Sequence, residues 1–141
     1  MEKLVVCILS CLLLFPTWAN AEAPENVVGA KTVSLEEART LYDSGAVFVD
    51  VRSERSWVAG HIEGAVNLDF NEDEFVILYV SEALDKSTPI VFYCDSSLVS
   101  SSATASFFAA SWGYENVYYF RDGYFAWMAS DYPVEFNIAS R

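Results

Sequence analysis

Two hydrophobic rhythms alternate along this chain. Ala46–Val51, Pro89–Tyr93 and Asn116–Phe120 are nearly continuous runs of β-branched and aromatic residues. Such runs suit strands buried on both faces, as in a parallel sheet covered by helices. Lys31–Val33 and Ala65–Leu68 are shorter segments read the same way. Helix signals lie between them. Ser34-Leu35-Glu36-Glu37 is a capping box that opens a helix to about Asp43, and Gly45 ends that turn. Ser53–Ala59 is a short helix stopped by Gly60. Asp73–Ala83 is assigned to a helix on length and context, although Phe75–Val80 has strand propensity. Ser100–Trp112 carries Ala103, Phe107 and Ala110 on one face and is closed by Gly113. Tyr124–Ala129 is a last short helix before Pro133. Strand and helix in alternation predict an α/β fold with a mainly parallel sheet.

The ends read differently. Met1–Ala21 has the pattern of a secretory leader: Lys3, an apolar run from Leu4 to Phe15, a break at Pro16, and Ala19-Asn20-Ala21 as a small-x-small cleavage site. The run is too short for a comfortable membrane span, so a permanent anchor fits less well, as does lipidation of Cys11. The expectation is export, to the periplasm if the source is Gram-negative, with no stable membrane insertion after cleavage. Residues 22–30 are expected to form a loose lead, 31–135 the domain, and 136–141 a tail.

Composition narrows the function classes. The chain has 141 residues and a net charge of −12, and the proposed cleavage leaves that charge unchanged. A length of this order suits one domain. The acidic balance argues against a nucleic-acid partner and against anionic lipid surfaces, both of which need surplus Lys and Arg. With three Cys and one His, neither a disulfide framework nor a zinc cluster is expected, and no metal or other cofactor is assigned. Cleavage removes Cys7 and Cys11, which leaves Cys94 alone.

Cys94 directly follows the apolar run Pro89–Tyr93, and a helix follows from Ser100. Ligand sites of open α/β sheets lie beyond the carboxyl ends of the strands. Amides of a tight loop and the positive end of a helix both favour a thiolate, and they can hold a small anion or a persulfide. The alternative at this point is a buried, inert cysteine at a strand end.

Three blocks of sequence then resemble the rhodanese, or sulfurtransferase homology, family. Val49-Asp50-Val51-Arg52 with Glu54 and Gly60-His61-Ile62-Glu63-Gly64-Ala65-Val66-Asn67 is similar to its first signature. Tyr93-Cys94 with the loop Asp95, Ser96, Ser97, Leu98, Val99 and Ser100 is similar to its active-site loop. Gly113-Tyr114, Asn116-Val117, Asp122-Gly123 and Trp127 resemble its closing signature. The resemblance spans Lys31 to Glu135 and is strongest to small periplasmic single-domain members. It implies a three-layer fold with helices on both faces of the sheet. It also implies chemistry in which Cys94 takes sulfane sulfur from a small donor such as thiosulfate and passes it, as a persulfide, to a thiol or cyanide.

The loop departs from the family pattern. Asp95 and Val99 stand where catalytic members commonly carry a basic residue and an Arg, so a dianionic donor is expected to bind poorly. The missing Arg also counts against the phosphatases and arsenate reductases that share the fold. Asp50 and Arg52 are expected to fix loops, with direct anion contact by Arg52 a lesser expectation, and His61 to support the scaffold. Ser100 is expected to cap the helix that follows. Tyr118, Phe120 and Trp127 are assigned to the core, and the acidic run Asp69–Glu74 to a solvated loop. The sequence therefore points to an exported sulfurtransferase. A weakly active or inactive module that binds a partner protein is the alternative, and a thiol redox partner is a third reading.

Overall fold

The computed structural model describes residues 22–137. The predicted leader Met1–Ala21 and residues 138–141 of the predicted tail lie outside the described residues. The elements are β1 (Lys31–Thr32), α1 (Leu35–Asp43), β2 (Val47–Asp50), α2 (Glu54–Ala59), β3 (His61–Ile62), β4 (Val66–Asn67), α3 (Ile77–Val80), β5 (Ile90–Tyr93), α4 (Ser101–Ser111), β6 (Val117–Phe120), α5 (Gly123–Ala129) and β7 (Val134–Glu135). A five-stranded parallel sheet runs in the order β1-β6-β5-β2-β4. Helices cover both faces, which is the expected three-layer α/β fold.

The central strand shows why the apolar runs are continuous. All four residues of β5 are buried. Ile90 and Phe92 point to one core layer with Ala105, Ala109 and Cys94. Val91 and Tyr93 point to the other, with Ala38, Phe48 and Trp127. Trp127 is fully buried there and donates from Nε1 to the Pro133 carbonyl at 2.8 Å. The capping box at α1 forms as the sequence predicts, with Ser34 and Glu37 bonding reciprocally.

Three local expectations are corrected, and one strand pair was not foreseen. The Asp73–Ala83 helix is a 3-10 turn, Asp73–Val76, followed by one α turn that ends at Val80. Only Phe75 and Leu78 reach the core, and no side chain caps the turn. The inner face of α4 carries Ser102, Ala105, Ser106 and Ala109, beside Ala103, whereas Phe107 is 46% exposed. Small residues let the helix lie close on the sheet, so the large rings turn outward. The turn around His61 includes a strand, β3, which pairs antiparallel with β7. Two-residue strands carry no alternation to read. The lead is pinned rather than loose: Ala23 is buried, and Tyr119 Oη, Thr32 Oγ1 and Arg121 all donate to carbonyls of residues 23–25. Of the predicted tail, Asn137 N–H donates to the Val58 carbonyl at 3.2 Å. Among the described residues no helix is long and apolar enough to cross a membrane.

Candidate active site

Cys94 stands at the carboxyl end of β5, between the neighbouring strands β2 and β6. Its loop is held by its backbone. Tyr124 N–H donates to the Cys94 carbonyl at 2.8 Å and Phe125 N–H to the Asp95 carbonyl at 3.0 Å. Ala23 N–H donates to the Ser97 carbonyl at 2.8 Å. Across a trans peptide the carbonyl and the next N–H point in opposite directions. Turning these carbonyls toward α5 and the lead therefore turns the following amides the other way. Gly123 makes the approach possible: its φ is +72°, and a Cβ there would lie 2.5 Å from the Cys94 carbonyl oxygen.

The loop serines divide their work. Ser96 makes a turn, accepting from Leu98 N–H through Oγ at 3.2 Å and from Val99 N–H through its carbonyl at 3.1 Å. Ser97 is the acceptor for Ala23, Leu98 is exposed, and Val99 packs on the core layer that holds Cys94. Ser100 precedes α4 in a helical conformation and makes no capping bond with its hydroxyl, contrary to expectation. Its ψ of −2° lies in the helical region, not the extended region from which an N-cap side chain reaches back. The N-terminal amides of α4 therefore have no side-chain cap. Ser102, in that first turn, has a buried hydroxyl without a partner among the described residues.

Asp50 and Arg52 leave the end of β2, next to β5. Asp50 is fully buried. Arg52 meets it with two parallel bonds, Nε to Oδ1 at 3.0 Å and Nη2 to Oδ2 at 2.7 Å. Nη2 also donates to the Gly60 carbonyl at 2.7 Å, and Nη1 reaches Asp95 at 3.3 Å. The Tyr124 ring covers the guanidinium at 4.3 Å. Arg52 is thus committed to the scaffold. Asp95 faces Arg52, so its charge is partly neutralised, which reduces the penalty expected for an anionic donor. His61 is fully buried and stacks on Trp57. Its Nδ1 lies 2.7 Å from the Trp57 carbonyl and its Nε2 2.9 Å from Glu135, away from the Cys94 loop.

The thiol corrects the low-pKa expectation. Burial is the largest effect and pushes Cys94 up to about 11; the Asp95 amide and Arg52 pull it down, while the Asp95 and Asp50 carboxylates add to the rise. Loop position predicts amides but not desolvation, and here desolvation wins. The resting side chain is a thiol, 4% exposed. Sequence reasoning missed three contributors: the α5 amides, Ala23 and Arg121. Gly123 was the one visible signal, because such close approach admits no side chain.

A shallow cavity of about 390 Å³ adjoins the loop, lined by Arg52, Asp95, Tyr124, Phe125, Met128 and Phe136 among others. A larger cleft of about 860 Å³, with Trp57, Asp69, Glu72 and Glu74 in its wall, includes no residue of the Cys94 loop. Among the described residues no three His, Cys, Asp or Glu side chains converge as a metal site.

A cysteine at the carboxyl end of a central parallel strand, inside a short backbone-held loop, defines a class of α/β protein. The family model of the rhodanese-like domain matches residues 34–130, and the chain belongs to that family. It is 37% identical over 106 residues to the protein named thiosulfate sulfurtransferase GlpE of Pseudomonas entomophila, covering 74% of this chain and 90% of that one. The protein of the same name from Pseudomonas fluorescens is 33% identical over 108 residues, covering 76% and 92%. The solved structure of the human single-domain sulfurtransferase TSTD1 is 32% identical, with a TM-score of 0.58, covering 72% of this chain and 97% of that one.

Proposed function

We propose that this protein is an exported sulfurtransferase that carries sulfane sulfur as a persulfide on Cys94. Its family and its relatives support the coarser statement, a rhodanese-like sulfurtransferase. The finer reading rests on one observation, the backbone-held loop around Cys94. In the forward half-reaction, Cys94 loses its proton to solvent water and the thiolate attacks the outer sulfur of thiosulfate. A sulfur–sulfur bond forms to Cys94, and sulfite leaves with the electron pair of the bond that breaks. The Asp95 and Ser96 amides, turned from the gripped carbonyls of Cys94 and Asp95, suit the anionic persulfide that results, together with the uncapped start of α4. A thiol or cyanide then attacks the outer sulfur, and the Cys94 thiolate leaves. A small persulfide can replace thiosulfate as the donor. Export follows from the leader pattern of Met1–Ala21.

The buried, high-pKa thiol favours the second reading, a module that binds a partner protein and transfers little sulfur. One experiment separates them. Protein expressed from the full sequence is incubated with thiosulfate, and separately with a neutral persulfide, and its intact mass is measured. Gain of one sulfur atom, absent in Cys94→Ser, is expected. No gain from either donor, with a thiol that also resists alkylation, would sink the sulfurtransferase reading and promote the module. The mass of the secreted chain tests cleavage, which is expected to leave Glu22 first.

A further inference from the structure

The segment ahead of the family match reaches the Cys94 loop. Ala23 is 4% exposed, and its N–H is the donor that grips the Ser97 carbonyl at 2.8 Å. The Ala23 carbonyl is itself held by Arg121, from Nε at 3.1 Å and from Nη2 at 2.9 Å. Arg121 directly follows β6, the strand beside β5, so it leaves the sheet at the same edge as Cys94. Its Nη2 also meets the Glu22 carboxylate at 3.2 Å. Tyr119, on β6, holds the next carbonyl, that of Pro24, at 3.0 Å. Further along, Gly29 lies so close to α4 that a Cβ there would come within 2.7 Å of Ala110 Cβ. A continuous chain of bonds thus runs from β6 through Arg121 and Ala23 to the apex of the Cys94 loop.

We propose that Arg121 is a positioning residue for sulfur transfer, acting through Ala23 on the Ser97–Leu98 peptide of the Cys94 loop. The proposal rests on the sulfurtransferase reading. Beyond the loop's own bond from Leu98 N–H to Ser96 Oγ, Ser97 and Leu98 have little to fix them: Leu98 is 63% exposed, and only Val99 of this stretch packs on the core. The grip on the Ser97 carbonyl sets the plane of that peptide and the outer limit of the loop. Lifting the Glu22–Pro24 strap removes no reacting group. It frees the loop to move, and small misplacements of a reacting centre are costly. A loop free to move also exposes its buried thiol more often.

The test compares protein expressed from the full sequence with Arg121→Ala, Ala23→Pro and the double variant. Ala23→Pro removes the single N–H that grips Ser97. Ala23 precedes a proline, so its backbone is already biased to the extended region that proline also adopts, and circular dichroism checks that the variant folds. The readouts are kcat and KM for persulfide formation from thiosulfate and from a neutral persulfide, and the alkylation rate of Cys94. Each single variant is expected to lower kcat about tenfold with both donors and to speed alkylation. The double variant is expected to be no worse than Arg121→Ala, because both changes cut the same chain of bonds. Arg121→Lys, which keeps one donor, is expected to recover part of the loss. Three results overturn the proposal: Ala23→Pro behaving as the parent, additive losses in the double variant, or a loss in Arg121→Ala confined to the KM of thiosulfate. The last would make Arg121 an anion contact instead. If Arg121→Ala fails to fold by circular dichroism, Ala23→Pro decides alone. If the parent protein takes sulfur from neither donor, the sulfurtransferase reading fails, and the alkylation rates still decide whether the strap restrains the loop.

Discussion

The turns that follow β2 and β5 leave the sheet side by side, with Asp50 opposite Tyr93 in the register, and they are built on opposite plans. After β2, side chains do the holding. The buried Arg52 spends its donors on Asp50, Asp95 and the Gly60 carbonyl. After β5, the backbone does it: three loop carbonyls receive N–H groups from Tyr124, Phe125 and Ala23. A turn fixed by a buried ion pair has nothing left to offer a ligand. A turn fixed through its carbonyls keeps amides for one, here those of Asp95 and Ser96, while the Leu98 and Val99 amides go to Ser96. The rigid turn can therefore brace the reactive one through the single Arg52–Asp95 contact without entering the chemistry.

Removing Arg52 should give the largest effect. Arg52→Ala strands a fully buried Asp50 carboxylate, and breaking such a pair costs about 3–5 kcal/mol. Chemical denaturation measures this. Arg52→Lys should recover only part of it, because an ammonium cannot reproduce the bidentate geometry. A loss below about 1 kcal/mol would show that Asp50 does not depend on its partner.

Gly123 tests the backbone plan next. Gly123→Ala places a Cβ within 2.5 Å of the Cys94 carbonyl oxygen and 2.8 Å of the Asp95 carbonyl carbon at a φ of +72°. The expected destabilisation is about 2–3 kcal/mol, with sulfur uptake falling further than stability explains. Gly45 provides the control. Its φ is +84°, but open space surrounds it, so Gly45→Ala should cost about 1 kcal/mol and leave uptake unchanged. Equal losses of activity in both variants would mean that close approach to the loop is irrelevant.

This contrast also explains what could be read from the sequence. The apolar runs located β2, β5 and β6 to within a residue or two, since a strand buried on both faces needs a continuous run. The position of Cys94 beyond β5, of Asp50 at the end of β2 and of Arg52 just past it followed from those runs. The partners of the Cys94 loop did not, because an N–H donor has no residue-type signature and Ala23 looks like any alanine. The inner face of α4 was misjudged because hydrophobicity favoured Phe107, while proximity to the sheet favoured Ser102 and Ala105. The thiol was misjudged because a helix start is visible in sequence and the burial of one sulfur is not.

Charge at the loop comes third. The Cys94 thiol, raised to about 11 chiefly by burial, should alkylate at a rate that still climbs past its ordinary value of 9. A plateau below that pH would contradict the burial. In Asp95→Asn, one of the carboxylates that raise the thiol disappears, and the curve should move to lower pH. Uptake from thiosulfate should rise about three- to tenfold relative to a neutral persulfide, since a negative charge beside a dianion is removed. Stability should change by less than about 1 kcal/mol, because the Asp95 side chain is 35% exposed. An unchanged donor ratio would show that Arg52 already cancels the Asp95 charge.

The smallest effect tests how far the side-chain plan extends. His61 follows Gly60, whose carbonyl Arg52 holds, and Glu135 ties that stretch to β7 by accepting from Gly64 N–H at 2.9 Å and meeting His61 Nε2 at 2.9 Å. The Gly64 amide, and after it His61, hold the Glu135 carboxyl below its ordinary value of 4.5. A depressed carboxyl contributes stability that is present above its unfolded value and is lost as pH falls through the folded one. Glu135→Gln should therefore cost less than about 1 kcal/mol at neutral pH, because the carboxylate is 44% exposed. It should also flatten the acid limb: between about pH 5 and 3 the variant's Tm should fall less than the parent's. Parallel acid limbs would mean that β7 is held by packing, and that the ionic plan stops at Gly60.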